Sequence, residues 1–337
     1  MLFRSAPVNM PFDQGVFITN EGIYGQSSGT ITFFNPDSNS VQQDIFKMVN
    51  GRDLGNIVQS LTFHRDKVYI VVNNSNKIEV ADARDFKEFA QITNLEQPRY
   101  FLAVDSNTAF VSQWGLNLLN GSIAVLDLNT NTVSQTIRNQ IGKGPEQMLL
   151  YDTKVFVTNV GGLDFDNFIS VIDIASNQVI DTIQTPDAPN SIQFANNLLW
   201  VACSGKTIYA NYPDIDTMAS SSGGIIAIDP NSGQVVQQIL FAKGKSAKRL
   251  KANTAGDELF FLYDNNICRL NTVSAQWEPI IPGNFYGLGF DPIDNIIYAS
   301  RYTGIQATKI IRYNPVSAAA IDSFPAGFFA NDFYFRN

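Results

Sequence analysis

Histidine is nearly missing from this chain: 337 residues contain one, His64. A Ser–His–Asp arrangement needs a histidine placed between a nucleophile and an orienting acid. His64 lies in the polar run Phe63-His64-Arg65-Asp66, which reads as a surface turn. Copper and zinc centres built on several imidazoles are excluded as well. There are two cysteines, Cys203 and Cys268. Two make no disulfide framework and read as small core residues. Charged residues are scarce at 16%, and the formal net charge is −8. An acidic surface repels phosphate backbones, so nucleic acid is not an expected partner. No apolar run approaches the roughly 18 residues that span a bilayer, so the chain is not expected to cross a membrane. Met1 to Gln14 lacks the apolar centre of a signal peptide and reads as an N-terminal extension. There is no glycine-rich phosphate loop ending in Lys-Ser/Thr, and no long amphipathic helical pattern.

What is present is a repeat. Seven short apolar runs carry an aromatic at their second position: Val16-Phe17-Ile18-Thr19, Val68-Tyr69-Ile70-Val71, Ala109-Phe110-Val111-Ser112, Val155-Phe156-Val157-Thr158, Leu199-Trp200-Val201-Ala202, Leu259-Phe260-Phe261-Leu262 and Ile297-Tyr298-Ala299-Ser300. After each run, an apolar strand ends in Asp or Asn followed by a polar turn: Asn35, Asp82, Asp127, Asp173, Asp229, Asn271 and Asn314, spaced 47, 45, 46, 56, 42 and 43 residues apart. Asp and Asn side chains bond the backbone two residues on, and so start such turns. Before the aromatic run, Pro98, Pro145 and Pro189 open a further strand in three copies. Each unit therefore holds four short strands, A to D. The apolar positions of strand B are consecutive, as expected of strands buried on both faces between stacked sheets. The pattern predicts an all-β chain: a seven-bladed β-propeller of four-stranded antiparallel blades, forming one domain over 1–337.

The ends favour a closed ring. The first copy opens at strand B, near Val16, while the last segment, Asn331 to Phe335, reads as a lone strand A. Pairing the C-terminal strand (331–337) with the N-terminal blade removes two exposed sheet edges.

Phe17-Ile18-Thr19-Asn20 and Phe156-Val157-Thr158-Asn159 resemble the YVTN repeat of surface-layer-type propellers. No regular Trp-Asp ending or double-glycine pattern marks a WD40 or kelch propeller. Three further segments, Asn20-Glu21-Gly22, Asn50-Gly51-Arg52-Asp53-Leu54-Gly55-Asn56 and Val72-Asn73-Asn74-Ser75-Asn76-Lys77-Ile78-Glu79-Val80, are similar to a group of Bacteroidetes surface lipoprotein propellers. Some of these capture corrinoids beside an outer-membrane transporter. The resemblance implies a periplasmic or cell-surface location, and no corrinoid-binding residue carries over.

In a four-stranded meander the B–C loops and D–A connections emerge on one face, and the A–B and C–D turns on the other. The B–C loops are the irregular ones: Glu21 to Gly29, Trp114 to Gly121, Val160 to Asn167, Ser204 to Gly224 and Arg301 to Thr308. Long loops on a rigid scaffold carry function. They supply Tyr24, Trp114, Tyr209, Tyr212, Arg301 and Tyr302, and the D–A connections add Arg99, Gln147, Asn190, Lys248, Arg249 and Tyr286. Aromatic and amide groups of this kind suit a small-molecule or glycan ligand, or a protein partner such as an outer-membrane transporter. The basic run from Lys243 to Lys251 reads as a solvated face, with contact to an anionic ligand as the alternative. Asp164, Asp166 and Asn167 resemble half a calcium loop, but the later glutamate is missing. No cofactor is expected, and calcium is the one metal weighed. The expected function is a non-enzymatic binding module on the loop face. The alternatives are a carboxylate-dependent lyase or hydrolase, with Glu21 and Glu146 as the candidate acids, and a purely structural surface protein.

Overall fold

The structure is a computed structural model that describes residues 11–336. Met1 to Met10 and Asn337 lie outside the described residues, so most of the predicted N-terminal extension does too. Seven four-stranded antiparallel sheets are arranged as a closed ring. Taken from the axis outward, blade 2 is Val58–His64, Lys67–Val72, Lys77–Asp82 and Glu88–Ile92. Blades 3 to 7 repeat this A–B–C–D meander in chain order, their strands A being Pro98–Ala103, Pro145–Tyr151, Pro189–Ala195, Ala247–Ala252 and Phe285–Asp291. Blade 1 takes strands B to D from Gly15–Asn20, Thr30–Asn35 and Ser40–Gln42, and its strand A from the C-terminus, Ala330–Arg336. The closing strand thus begins one residue earlier than expected. It pairs antiparallel from Gly15↔Arg336 to Asn20↔Ala330.

The seven aromatics of strand B explain why the sheets stack. All are buried, none more than 4% exposed. Each lies in the cluster formed with the following blade: Phe156 packs with Ile192, Val201 and Ile226 of blade 5, and Trp200 with Leu250, Leu259 and Phe261 of blade 6. The last, Tyr298, faces blade 1, where Phe335 and Phe333 approach its ring at 5.3 and 6.0 Å. Each such side chain contributes about 1.5–3 kcal/mol by leaving water. The seven interfaces are therefore equivalent, and blades 7 and 1 meet like any other pair. Phe12 is also buried, with its ring 5.1 Å from that of Phe33, so the predicted extension contributes this residue to the core.

All seven predicted C–D turns share one geometry. The Asp or Asn side chain accepts from the backbone N–H two residues on, as in Asp127–Asn129 (2.8 Å) and Asn314–Val316 (2.9 Å), or three on, as in Asn35–Ser38 (3.0 Å). The residue four positions after it is left-handed every time: Asn39, Phe86, Asn131, Asn177, Gly233, Ala275 and Ala318. Two elements are not foreshadowed by the repeat: a six-residue helix, Ile45–Asn50, before blade 2, and a two-stranded hairpin, Tyr209–Asn211 with Asp214–Ile215, inside the long loop of blade 5. Cys203 and Cys268 are buried free thiols, as expected of small core residues. No helix among the described residues is long and apolar enough to cross a membrane.

Candidate functional site

The site begins with a flaw repeated in every blade. Near the loop-face end of strand A the register against strand B slips by one residue. Val58 and Ser60 pair with Val72 and Val71, leaving Gln59 over. Pro189 and Ser191 pair with Cys203 and Ala202, leaving Asn190, and Phe285 and Gly287 pair with Arg301 and Ser300, leaving Tyr286. In blade 1 the extra residue is Asn331. Blades 3, 4 and 6 set three residues of strand A against two of strand B, after Pro98, Pro145 and Lys248. A β-bulge breaks the pleat and re-aims side chains. Six of these bulges place polar side chains in a ring at the mouth of the axis, while Asn331 of blade 1 is buried against Thr19 and the Gln59 carbonyl.

In blades 1, 3, 4 and 7 a hydroxyl on strand B fixes the bulge. Thr158 donates to the Gln147 carbonyl at 3.0 Å, and Ser112 accepts from Tyr100 N–H at 3.1 Å. Ser300 accepts from Gly287 N–H at 2.7 Å and donates to the Ala330 carbonyl at 2.6 Å. The asparagines that follow Thr19 and Thr158 bond outward: Asn159 donates to the Phe168 carbonyl and Ser170 Oγ of strand C, both at 3.1 Å.

The ring encloses a cavity of about 470 Å³ to which all seven blades contribute. Strands A supply Gln59, Arg99, Tyr100, Glu146, Gln147, Asn190, Ser191, Lys248, Arg249 and Tyr286, and the B–C loops supply Glu21, Tyr24, Asn73 and Ser204. Part of this lining is scaffold. Asn190 donates to Ser204 Oγ and the Ala247 carbonyl, each at 2.9 Å, and Gln147 accepts from Ile192 N–H at 3.1 Å. Arg99 and Glu146 form a buried ion pair, Nη2 to Oε1 at 2.7 Å, and Trp114 stacks under the guanidinium at 4.2 Å. Burial raises the Glu146 carboxyl above the usual range, against the pull of Arg99. Its Oε2 is sealed from solvent with no hydrogen-bond partner among the described residues. Tyr286 donates its hydroxyl to Glu21 at 2.8 Å, and burial, reinforced by that carboxylate, raises its own pKa. Burial also raises Tyr100 to about 12.

Of the residues singled out from sequence, Tyr24, Arg99, Gln147, Asn190, Lys248, Arg249 and Tyr286 line this cavity. The other five do not. Trp114 backs Arg99. Tyr302 stands beside Tyr286 and Phe329 with ring centroids 6.3 and 6.2 Å away. Tyr209 and Tyr212 pack on each other (5.3 Å) on the blade 5 hairpin, and Arg301 is exposed at the end of its strand. The basic run is a solvated face only in its first part: Lys243 is exposed at the end of strand D and Lys245 pairs with Asp264 at the surface. Lys251 pairs with the buried Asp332, and Lys248 and Arg249 enter the cavity, because Ala247–Ala252 is the strand at the axis. Sequence reasoning placed Glu21 and Glu146 near this face but did not foresee Tyr100, Gln59 or the Arg99–Glu146 pair. A polar pair directly after the first residue of six of the seven strands A was the available signal. The carboxylates that resembled half a calcium loop both hold Lys143, Asp164 at its amine (2.5 Å) and Asp166 at its backbone N–H (2.8 Å).

These features define a closed seven-bladed propeller with a polar cavity at the loop-face end of its axis. The chain belongs to the family described as "Domain of unknown function (DUF5074)", which matches residues 14–335. No curated protein matches it. Among solved structures it is similar to the periplasmic gluconolactonase PpgL of Pseudomonas aeruginosa, with 15% identity, TM-score 0.68, and coverage of 96% of this chain and 99% of that one. It is also similar to a quinonprotein alcohol dehydrogenase-like protein from Bacteroides thetaiotaomicron (13%, TM-score 0.69, 97% and 79%). A third is a putative 6-phosphogluconolactonase from Bacteroides uniformis (12%, TM-score 0.69, 96% and 99%). At these identities the likeness establishes the fold alone.

Proposed function

We propose that the protein is a binding module that seats a small polar molecule in the axial cavity, outside the cytoplasm. One observation carries this reading: six of the seven bulges supply side chains to a single cavity whose charged groups are only partly paired with each other. Its volume of about 470 Å³ falls within the roughly 300–1,000 Å³ of small-molecule sites. Tyr24, 73% exposed at the rim, offers a flat apolar surface for the part of a ligand that projects. A ligand as large as a corrinoid would lie across the mouth, with only a substituent inside. The exposed loop residues Leu116, Leu163, Tyr212, Met218 and Ile305 support a protein partner, such as a transporter, on the same face. The periplasmic gluconolactonase supports the location by likeness of fold.

The test is to incubate the protein with a metabolite extract, identify what is retained by mass spectrometry, and titrate the purified compound calorimetrically. Tyr24→Ala should weaken binding about tenfold, near 1.4 kcal/mol, with the melting temperature unchanged. If nothing is retained, the protein is structural instead.

A hydrolase is the second reading, favoured by the raised carboxyl of Glu146 and by the likeness of fold to a gluconolactonase and a putative 6-phosphogluconolactonase. It requires lactone turnover that Glu146→Gln abolishes.

A further inference from the structure

Arg249 is the residue of the cavity least explained by the fold. It lies within the blade 6 bulge, where Lys248 pairs with Leu262 and Lys251 with Phe260. Its φ is +60°, in the left-handed region that side-chain-bearing residues rarely adopt. In five other blades the left-handed residue stands one position before strand A, as Ile57, Gln97, Gly144, Ala188 and Phe329, and carries no charge. In blade 6 it is an arginine inside the strand. Its guanidinium lies 5.8 Å from the centre of the Tyr286 ring and makes no hydrogen bond or ion pair among the described residues.

Beside it stands Lys248, also without a hydrogen bond or an ion pair among the described residues. Burial, and then the charge of Arg249, lower the Lys248 pKa. Both carboxylates of the cavity already have partners: Glu146 holds Arg99 at 2.7 Å, and Glu21 holds the Tyr286 hydroxyl at 2.8 Å. The lining therefore carries Arg99, Lys248 and Arg249 against Glu21 and Glu146, an excess of one positive charge on a chain of net charge −8. Strained backbone conformations persist where function requires them. Adjacent unpaired cations, partly removed from water, want a counter-charge, and a guanidinium presents two parallel donors to a planar carboxylate or a phosphate.

The geometry points to an oxyanion subsite: Arg249 and Lys248 together hold the carboxylate or phosphate group of an acidic small molecule, whose remainder lies against Tyr286 and Tyr24. This rests on the binding reading above and narrows it to acidic ligands. Tyr100, Tyr286, Tyr334, Glu21, Glu146 and Asp332 are the other titratable groups facing Arg249, and none makes a hydrogen bond with it.

The experiment uses the full chain, with the Lys248 ammonium and Arg249 guanidinium observed by NMR. The probes are benzoate with its neutral partner benzamide, gluconate with gluconamide, and inorganic phosphate. Each acid should shift both signals and raise the Lys248 pKa, and each amide should bind at least tenfold more weakly. Added sodium chloride should weaken the acids alone. Carboxylate and phosphate sources separate by which probe binds more tightly. Arg249→Asn suits the left-handed backbone and removes the charge. It should fold with an unchanged or higher melting temperature, raise the Lys248 pKa in the absence of probe, and lose the preference for acids. Amides binding as well as acids, Arg249→Asn keeping the preference, or no shift from any acid at tens of millimolar would each overturn the subsite. A neutral compound that perturbs Tyr24 and Tyr286 without preference for acids would overturn it too, yet leave the binding reading standing.

Discussion

The ring is held shut by one strand, and Asn331 offers a measurable handle on that closure. It is fully buried and is the extra residue of the blade 1 bulge. Its Oδ1 accepts from the Thr19 hydroxyl at 2.5 Å, and its Nδ2 donates to the Gln59 carbonyl at 2.8 Å. One amide thus ties the C-terminal strand both to the start of the chain and to blade 2. In Asn331→Ala the Gln59 carbonyl loses that donor in a dry environment, which costs about 1–3 kcal/mol. The Thr19 hydroxyl fares better, because the Asp332 carbonyl lies 3.5 Å away; its loss should sit near the low end, about 1 kcal/mol. The sum is about 2–4 kcal/mol, read from the midpoint of urea unfolding at unchanged slope. Thr19→Val alone should cost about 1 kcal/mol, and the double variant should fall short of the sum of the singles by about that amount. Strict additivity, or an Asn331→Ala loss below about 0.5 kcal/mol, would refute the idea that this contact locks the ends.

Other outcomes follow from the same contacts. Phe156→Ala opens a void between blades 4 and 5 and should cost about 3–5 kcal/mol by urea unfolding. Ala275→Gly and Ala318→Gly relieve left-handed strain (φ 55° and 57°) and should each stabilise by up to about 1 kcal/mol in the same assay. Asp127, Asp173 and Asp229 are held below the usual carboxylate range, Asp127 and Asp229 chiefly by turn N–H groups and Asp173 by Ser176. Their folded pKa values are depressed, so their stabilisation is present above pH 3.8, the ordinary value, and is lost as pH falls through the lower folded values. Replacing all three with Asn, the residue already serving at Asn35, Asn271 and Asn314, should flatten the acid side of a plot of urea midpoint against pH.

The blade count was legible because two signals recur at fixed places: the aromatic that packs on the next blade and the Asx residue that starts the C–D turn. Both follow from local chemistry that every copy must satisfy. The terminal pairing was legible from what the first and last copies lack. The site was less so. A bulge inserts one residue into a strand without changing the surrounding pattern, so nothing in the spacing shows that Gln59, Asn190 or Asn331 is set apart. Loop aromatics attracted attention because they are large, yet Tyr209 and Tyr212 satisfy each other on a hairpin whose two short strands have no periodic signal. The run from Lys243 to Lys251 looked like solvated charge because a linear reading cannot see Asp264 and Asp332, which neutralise two of its lysines.

The same division explains how a repetitive scaffold makes a site that is not repetitive. The bulge is common to all seven blades, and in blades 1, 3, 4 and 7 it is held by a buried strand B hydroxyl such as Thr158 or Ser300. The side chains it presents vary between blades, and only some are free to meet a ligand. Asn190 and Gln147 hold neighbouring strands A together, so their removal should loosen the ring before it tells anything about binding. Tyr24, Lys248 and Arg249 make no such bonds. Loss of binding without loss of stability should therefore be confined to that second group. If Asn190→Ala left the urea midpoint unchanged while Arg249→Asn lowered it, the assignment of scaffold and site would be inverted.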